Sequence, residues 1–292
     1  MSSTVSFQVP SPSGPRSMTL AYARVGTGEP LLLLHGIGHH RQAWDPVVHL
    51  LAAERDVIAV DLPGCGESPA LPDGMAHDLA TMNAALGAFC VALEIERPHV
   101  AGNSLGGLLA LNLGSARLVR SVTALSPAGF WVPAERLYAF GVLMGMRHTA
   151  QRLPLPLVEL LSRTAVGRAV LTSTIYARPG RRSPEAVVAE TLALARAEGF
   201  HETLRSGRDV QFTDDVSGVP VTVAWGNRDR LLVPRQGVRA KHVIPRARLI
   251  RLPGCGHVPM NDDPALVARV ILDGSRKQDA GASRTSPSTA VS

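Results

Sequence analysis

Short apolar runs alternate with longer stretches of helical periodicity along the first 127 residues. Most of these runs are rich in Val, Leu and Ile and end near a glycine or proline, which is typical of buried strands. Residues 77–94 instead space their apolar side chains along one face of an amphipathic helix. The predicted strands lie at 5–9, 18–25, 30–36, 56–64, 99–102 and 120–127, and the predicted helices at 43–53, 77–94 and 105–114.

The alternation stops after Pro127 and returns near Val219. The intervening segment predicts helices without strands between them, and Ser183 followed by Pro184 is a strong helix start. These predicted helices lie at 133–152, 155–163, 166–176 and 184–198, and the later pattern predicts strands at 219–226 and 246–253 with helices at 234–243 and 264–273.

Strand and helix in regular succession indicate an α/β fold: a mostly parallel central sheet with helices on both faces. The middle helices then form an inserted cap. We therefore expect a first core segment at 1–127, a helical cap or lid at 128–212 and a second core segment at 213–273. Residues 274–292 are polar and rich in small side chains, which predicts a disordered tail.

The composition bears on where the protein is located and on which classes of protein it could belong to. The 292 residues are 45% apolar, yet they contain neither a run long enough to span a bilayer nor a visible secretory signal. The three cysteines, Cys65, Cys90 and Cys255, are too few and too scattered for a disulfide framework or a zinc knuckle. A reducing cytoplasm is the expected location.

A net charge of +6 raises the question of a nucleic-acid partner. Proteins that bind nucleic acids usually cluster their basic residues and interleave aromatics, whereas here arginines are dispersed and aromatics make up 4%. We expect no nucleic-acid binding and a small-molecule substrate instead. The excess of arginine in residues 136–209 forms either a solvated face or a surface that attracts an anionic substrate. The sequence does not indicate an oligomeric state.

A serine stands between glycines where a predicted strand meets a predicted helix. Gly102, Ser104 and Gly106 form the pattern G-x-S-x-G. The bare pattern is common in glycine-rich chains, and a glycine turn with a spectator serine would also produce it. A sharp strand-to-helix turn, however, exposes the hydroxyl at its tip, and glycines clear the space that it needs.

Five motifs together resemble the α/β-hydrolase superfamily, as a serine hydrolase with a helical cap. In order they are LLLLHGIG (31–38), VIAVDLPGCGES (57–68), VAGNSLGG (100–107), VAWGNRDRLLVP (223–234) and LPGCGHVPM (252–260). The resemblance covers about residues 18–273. It implies an acyl-transfer hydrolase, because the family order Ser, Asp, His is matched by Ser104, Asp229 and His257.

The resemblance also assigns the remaining parts of the site. The backbone N–H groups of Leu105 and Ile37 would form the oxyanion hole, and His35 would be structural. Asp61 and Glu67 would shape their loop. The histidines at 35, 39 and 40 have no nearby carboxylate to complete a ligand set, so we expect neither a metal nor a cofactor.

Substrate choice would lie with the cap. Its apolar composition predicts an apolar acyl or alcohol pocket, although packing between cap helices explains most of these side chains equally well. The candidate lining residues are Trp44, Phe130, Trp131, Leu137, Phe140 and Met144.

Several chemistries share this scaffold. Serine at 104 argues against the dehalogenases and epoxide hydrolases, which use aspartate. The motif GNSLGG resembles the carbon–carbon bond hydrolases of aromatic-ring degradation, but Val258 replaces the tryptophan that those enzymes often carry. Carboxylic ester hydrolysis is the expected activity; a carbon–carbon bond hydrolase, a lactonase, a thioesterase, a perhydrolase and a non-enzymatic ligand-binding protein remain alternatives.

Overall fold

A twisted sheet forms the centre of the protein. The computed structural model describes residues 2–11 and 14–276, and within these ranges eight strands form one sheet. The strands are β1 (Ser3–Val9), β2 (Arg16–Val25), β3 (Glu29–Leu34), β4 (Arg55–Val60), β5 (His99–Asn103), β6 (Ser121–Leu125), β7 (Val221–Gly226) and β8 (Arg248–Leu252). Their spatial order is β1-β2-β4-β3-β5-β6-β7-β8, and only the β1–β2 and β2–β4 pairs of this sheet are antiparallel.

Helices connect these strands and fill the segment between β6 and β7. They are α1 (Asp45–Ala52), α2 (Leu79–Ala92), α3 (Leu105–Ser115), α4 (Pro133–Arg152), α5 (Leu155–Ser162), α6 (Ala165–Thr172), α7 (Pro184–Arg196), α8 (Phe200–Ser206), α9 (Arg235–Val243), α10 (Pro259–Asp262) and α11 (Pro264–Gly274). In the described part of the chain, none of them combines the length and the apolar character needed to cross a membrane.

The sheet is covered on both faces because its inner strands are apolar on both sides. Leu32 and Leu34 of β3 pack into one core with α2, α3 and α9. Leu31 and Leu33 point the other way, into a second core with α1 and α11. This is the arrangement expected when side chains alternate along a strand and parallel strands are buried. The predicted α/β fold with a mostly parallel sheet is confirmed.

Two short helices were not predicted from the sequence. Helix α8 follows Gly199, which takes a left-handed conformation with φ of 69° and turns the chain sharply after α7. Helix α10 has only four residues and begins directly after His257 and Val258. Helices this short carry too little periodicity to be recognised.

The predicted tail lies outside the described residues from position 277 onward. Its first residues belong to the fold, since Gly274 ends α11 and Ser275 is buried. The Ser275 hydroxyl accepts a hydrogen bond from Arg55 Nε at 3.2 Å, and the Ser275 carbonyl accepts one from the same guanidinium at 3.1 Å. The folded segment therefore continues past the predicted boundary at 273, at least to Ser275.

One buried carboxylate ties the helical segment to the loop after β8. Asp262 accepts hydrogen bonds from the backbone N–H groups of Ala177 (3.0 Å), Arg178 (2.7 Å) and Gly256 (2.7 Å). The first two donors follow α6, and the third directly precedes His257. Because charge-assisted hydrogen bonds are strong, Asp262 fixes the two loops relative to one another.

Helix α3 lies unusually close to the sheet. A Cβ on Gly106 would collide with the carbonyl oxygens of Leu34 and His35 at the end of β3, and a Cβ on Gly102 would collide with the backbone of Gly106. No flexible side chain is involved in these contacts, so a substitution would have to move backbone.

Replacing Gly106 with alanine is therefore expected to lower the free energy of unfolding by about 1–3 kcal/mol or more. The matched control is Gly87→Ala within α2, where a Cβ has open space. Removing a glycine from an open helix interior should stabilise the protein by about 0.5–1 kcal/mol. Urea denaturation measures both changes, and a tolerated alanine at 106 would contradict the close approach.

Asp262→Asn should lower the free energy of unfolding by about 1–3 kcal/mol, because an amide offers one acceptor oxygen where three N–H groups need two. Asp263→Asn is the matched control. Asp263 caps α11 by accepting from Leu266 N at 3.1 Å, and asparagine caps helices as well as aspartate does. Thermal or urea unfolding measures the free energy of unfolding of both variants. An equal loss in the two would show that the bonds to Asp262 contribute no more than an ordinary helix cap does.

Candidate active site

Ser104 occupies a strained turn between β5 and α3. Its backbone angles, φ of 57° and ψ of −116°, lie in a region that side chains other than glycine rarely adopt. The turn can close this tightly because Gly102 and Gly106 carry no side chains where the backbones meet. The hydroxyl is thereby presented at the carboxyl end of β5.

Asp229 and His257 form a buried pair at the carboxyl ends of β7 and β8. His257 Nδ1 donates a hydrogen bond to Asp229 Oδ2 at 2.9 Å. The other carboxylate oxygen accepts from the backbone N–H groups of Leu231 (3.0 Å) and Leu232 (2.8 Å). This arrangement fixes the tautomer of the neutral imidazole and leaves Nε2 as the nitrogen that can accept a proton.

The structure brings Ser104 and His257 to the wall of one small cavity, of about 60 Å³. Among the described residues, no hydrogen bond joins the Ser104 hydroxyl to the imidazole. Catalytic hydrogen bonds are often long in ligand-free proteins and tighten in the substrate complex. The aspartate–histidine half of the predicted triad is thus hydrogen-bonded, and the serine lines the same small cavity as the histidine.

Ile37 and Leu105 lie on either side of the Ser104 turn. Leu105 is the first residue of α3, and Ile37 belongs to the loop after β3. In the chain from 14 to 276, neither backbone N–H has a hydrogen-bond partner. Both residues line a larger cavity that also reaches Ser104. These are the features that an oxyanion hole requires: free N–H groups near the nucleophile.

The larger cavity, of about 320 Å³, is almost entirely apolar. It lies between the Ser104 turn, α2 and the helices α4 and α8. Two of the candidate aromatic residues, Trp131 and Phe140, line it and pack edge to face at 5.7 Å. The other apolar lining side chains include Leu79, Met82, Leu108, Leu143, Leu204 and Leu232.

The other four residues predicted to line the pocket do not line this cavity, so the prediction is wrong for them. Trp44 is fully buried in the core on the α1 side of the sheet. Phe130 packs against Phe212 at 5.6 Å in the other core. Leu137 and Met144 point outward from α4 and are exposed. Residue type alone does not reveal which face of a helix or loop meets a cavity.

Two residues that the sequence did not reveal hold the His257 loop in place. Asn103 Nδ2 donates hydrogen bonds to the carbonyl oxygens of His257 (2.9 Å) and Leu125 (3.1 Å). Asp262 holds the preceding residue, Gly256, from the other side. Asn103 stands directly before Ser104, and that adjacency was the one signal in the sequence that could have identified it.

The other residues that the sequence singled out near the site are held in hydrogen bonds that fix loops, or are buried and unreactive. His35 Nε2 accepts from the N–H of Leu62 at 3.0 Å, so its ring is held between two loops. Asp61 pairs with Arg41 and accepts from the N–H of Glu67 at 3.0 Å. Burial raises the pKa of the Cys255 thiol to about 12, which keeps that thiol protonated and unreactive at neutral pH.

A polar cluster lies at the edge of the small cavity. His39 and Glu190 both line it, together with Ser104 and His257. Glu190 Oε1 accepts a hydrogen bond from the Tyr176 hydroxyl at 2.9 Å and pairs with the Arg182 guanidinium. The Arg182 side chain also donates to the carbonyl oxygen of Gln42 at 3.2 Å, which joins the segment before α7 to the segment between β3 and α1.

Comparison with known proteins identifies the family of the chain. The family model described as the Alpha/beta hydrolase family matches residues 31–270. An uncharacterised protein of Mycobacterium tuberculosis is 31% identical over 267 residues, which cover 86% of this chain and 76% of the relative. Lipase 3 of a Moraxella species is 27% identical, over 86% of this chain and 79% of the lipase.

Solved structures share the same fold. Naproxen esterase from Bacillus subtilis superimposes with a TM-score of 0.72 at 22% identity, over 93% of this chain and 91% of the esterase. The strained serine turn, the buried aspartate–histidine pair and the mostly parallel sheet occur within the matched segment. The chain belongs to the α/β-hydrolase family and is a hydrolase with lipases and esterases among its relatives.

Proposed function

We propose that the protein hydrolyses carboxylic esters through an acyl-enzyme on Ser104. The observation that carries this proposal is the 2.9 Å bond between Asp229 and His257, beside a serine held in a strained turn. A serine hydroxyl is a poor nucleophile at neutral pH unless a base removes its proton, and a base acts well only when it is oriented. His257 would supply the base and Asp229 the orientation.

In the acylation step the Ser104 oxygen attacks the ester carbonyl carbon while His257 Nε2 takes the hydroxyl proton. The carbonyl oxygen becomes an oxyanion, which the N–H groups of Ile37 and Leu105 would stabilise. Each such donor typically contributes on the order of 100- to 1000-fold in rate. The carbon–oxygen bond to the alcohol then breaks, and the departing alkoxide oxygen receives the proton from Nε2.

Deacylation repeats the sequence with water. His257 Nε2 removes a proton from the water as its oxygen attacks the acyl carbon. The bond to Ser104 breaks, the serine oxygen regains a proton from the imidazole, and the carboxylic acid leaves. One ester and one water thus give one acid and one alcohol, and the enzyme is returned unchanged.

The two cavities suggest which part of the ester each one holds. Ser104 and Ile37 line both cavities, whereas His257 lines only the small one and Leu105 only the large one. The leaving oxygen must lie near His257 because it takes its proton from there. We therefore assign the alcohol part to the small cavity and an apolar acyl chain to the large one.

Ser104→Ala should abolish turnover of a short p-nitrophenyl ester and should abolish labelling by a fluorophosphonate probe, because both reactions need the hydroxyl. Ser115→Ala, at the far end of α3, is the matched control and should keep both. The Ser115 hydroxyl only donates to the carbonyl oxygen of Leu111 in its own helix. Ester turnover that persists in a folded Ser104→Ala protein would refute the proposed nucleophile; a wild type that never labels would favour a ligand-binding protein.

Asp229→Asn should lower kcat by roughly 10⁴-fold while KM changes little, the size of effect seen when a triad loses the tautomer that its carboxylate enforces. The matched control is Asp215→Asn, which lies in the loop before β7 and is exposed. Steady-state kinetics on the same aryl ester measures the effect. A kcat within tenfold of wild type would mean that another group orients His257.

A further inference from the structure

Glu190 lines the cavity that holds Ser104 and His257, and one of its carboxylate oxygens has no hydrogen-bond partner in the described chain. The side chain is 6% exposed. Its Oε1 atom is fully engaged by Tyr176 and Arg182. Its Oε2 atom is buried and, within residues 14–276, has no hydrogen-bond partner. A buried acceptor without a partner is costly, and it therefore points to a group that binds there.

His39 lines the same cavity and also has an unpartnered nitrogen. Its Nδ1 atom accepts a hydrogen bond from the N–H of His40 at 3.0 Å, so in the neutral ring the proton is on Nε2. Burial lowers the pKa of His39 well below its usual range, which keeps the ring neutral. The Nε2 atom lies 3.9 Å from Glu190 Oε1, too far for a hydrogen bond, and is likewise unpartnered in the described chain.

We propose that His39 and Glu190 form a recognition site for a hydroxyl group on the alcohol part of the ester. A hydroxyl is the small neutral group that can accept from His39 Nε2–H and donate to Glu190 Oε2 at the same time. This inference rests on the proposed ester hydrolysis at Ser104 and names its substrate class: monoesters of a small diol or polyol with an apolar acid.

The charges around the site favour a hydroxyl over other polar groups. A substrate carboxylate would meet the Glu190 carboxylate, and a substrate ammonium would meet the His39 N–H and the neighbouring Arg182 guanidinium. An alkyl group would leave both buried atoms unpartnered. The small size of the cavity, about 60 Å³, further limits the alcohol to a few carbons.

The reaction remains an ordinary ester hydrolysis. The Ser104 oxygen displaces the diol, whose linking oxygen takes the proton that His257 removed from the serine. The second hydroxyl of the diol is not consumed and only holds the alcohol in place. Water then releases the acid, so that one diol monoester and one water give one diol and one carboxylic acid.

The test compares two esters that differ in one atom: 2-hydroxyethyl hexanoate and propyl hexanoate. They have the same acyl chain and equally long alcohols. We expect wild-type kcat/KM to favour the hydroxyethyl ester by about tenfold or more, as for a hydrogen bond to a charged group. A ratio near one would overturn the proposal while leaving Ser104 as the nucleophile.

Two variants test whether Glu190 and His39 cause the preference for the hydroxyethyl ester. Glu190→Gln keeps the shape of the side chain and its bonds to Tyr176 and Arg182, but removes the charged acceptor. His39→Phe removes the donor. Each is expected to reduce the hydroxyethyl-to-propyl ratio severalfold, to a value closer to one. Glu185→Gln, on the exposed side of the same helix α7, is the matched control and should keep the wild-type ratio.

A purely structural role for the two residues would give a different result. Both esters would then lose activity by the same factor, the ratio would stay at its wild-type value, and the proposal would be wrong. Fluorophosphonate labelling separates this failure from failure of the proposed function. A protein that labels at Ser104 but hydrolyses neither ester is an acyl-transfer enzyme for other substrates, whereas one that does not label lacks the nucleophile itself.

Discussion

The close approach of backbones around Ser104 is the constraint on which the site depends. Strand β3, strand β5 and the first turn of α3 meet with no room for a Cβ at Gly102 or Gly106. Even at Gly36 a Cβ would stand 3.2 Å from that of Ser104. The strained φ of 57° at Ser104 persists because the packed sheet and helix on either side determine it. The same packing places Ile37 and Leu105 on either side of the serine.

The sequence predicted those features of the structure that depend on residues close together along the chain. Glycine spacing marked the Ser104 turn, and alternation of strands with helices predicted the sheet. The positions of Asp229 and His257 after the last two strands pointed to one edge of the sheet, where the structure places both. Trp44 and Met144 show the limit, because an apolar side chain can serve a core, a surface or a cavity without any change in the local pattern.

The residues that the sequence did not reveal act across long separations. Asn103 and His257 are 154 residues apart, and their bond runs from a side chain to a backbone carbonyl. Asp262 and Glu190 depend on how the inserted helices meet the core, which no local pattern encodes. Asp262 joins that insertion to the core through Ala177, and Arg182, which pairs with Glu190, joins it to the core through the carbonyl oxygen of Gln42. Positioning of the inserted helices and construction of the site are therefore physically linked.

Glu190 contributes both to the position of the inserted helices and to the lining of the small cavity. Its Oε1 atom pairs with Arg182, while the residue also lines the cavity beside Ser104 and its Oε2 atom has no partner in the described chain. Burial raises the pKa of this carboxyl group, while Arg182 opposes the shift. An ionised carboxylate accepts a hydrogen bond from a substrate hydroxyl, and a protonated one can donate to it. A hydroxyl can both donate and accept, so it can bond to Glu190 in either state, whereas an ammonium or a carboxylate group could not. Recognition of a hydroxyl therefore does not require Glu190 to hold one charge throughout turnover.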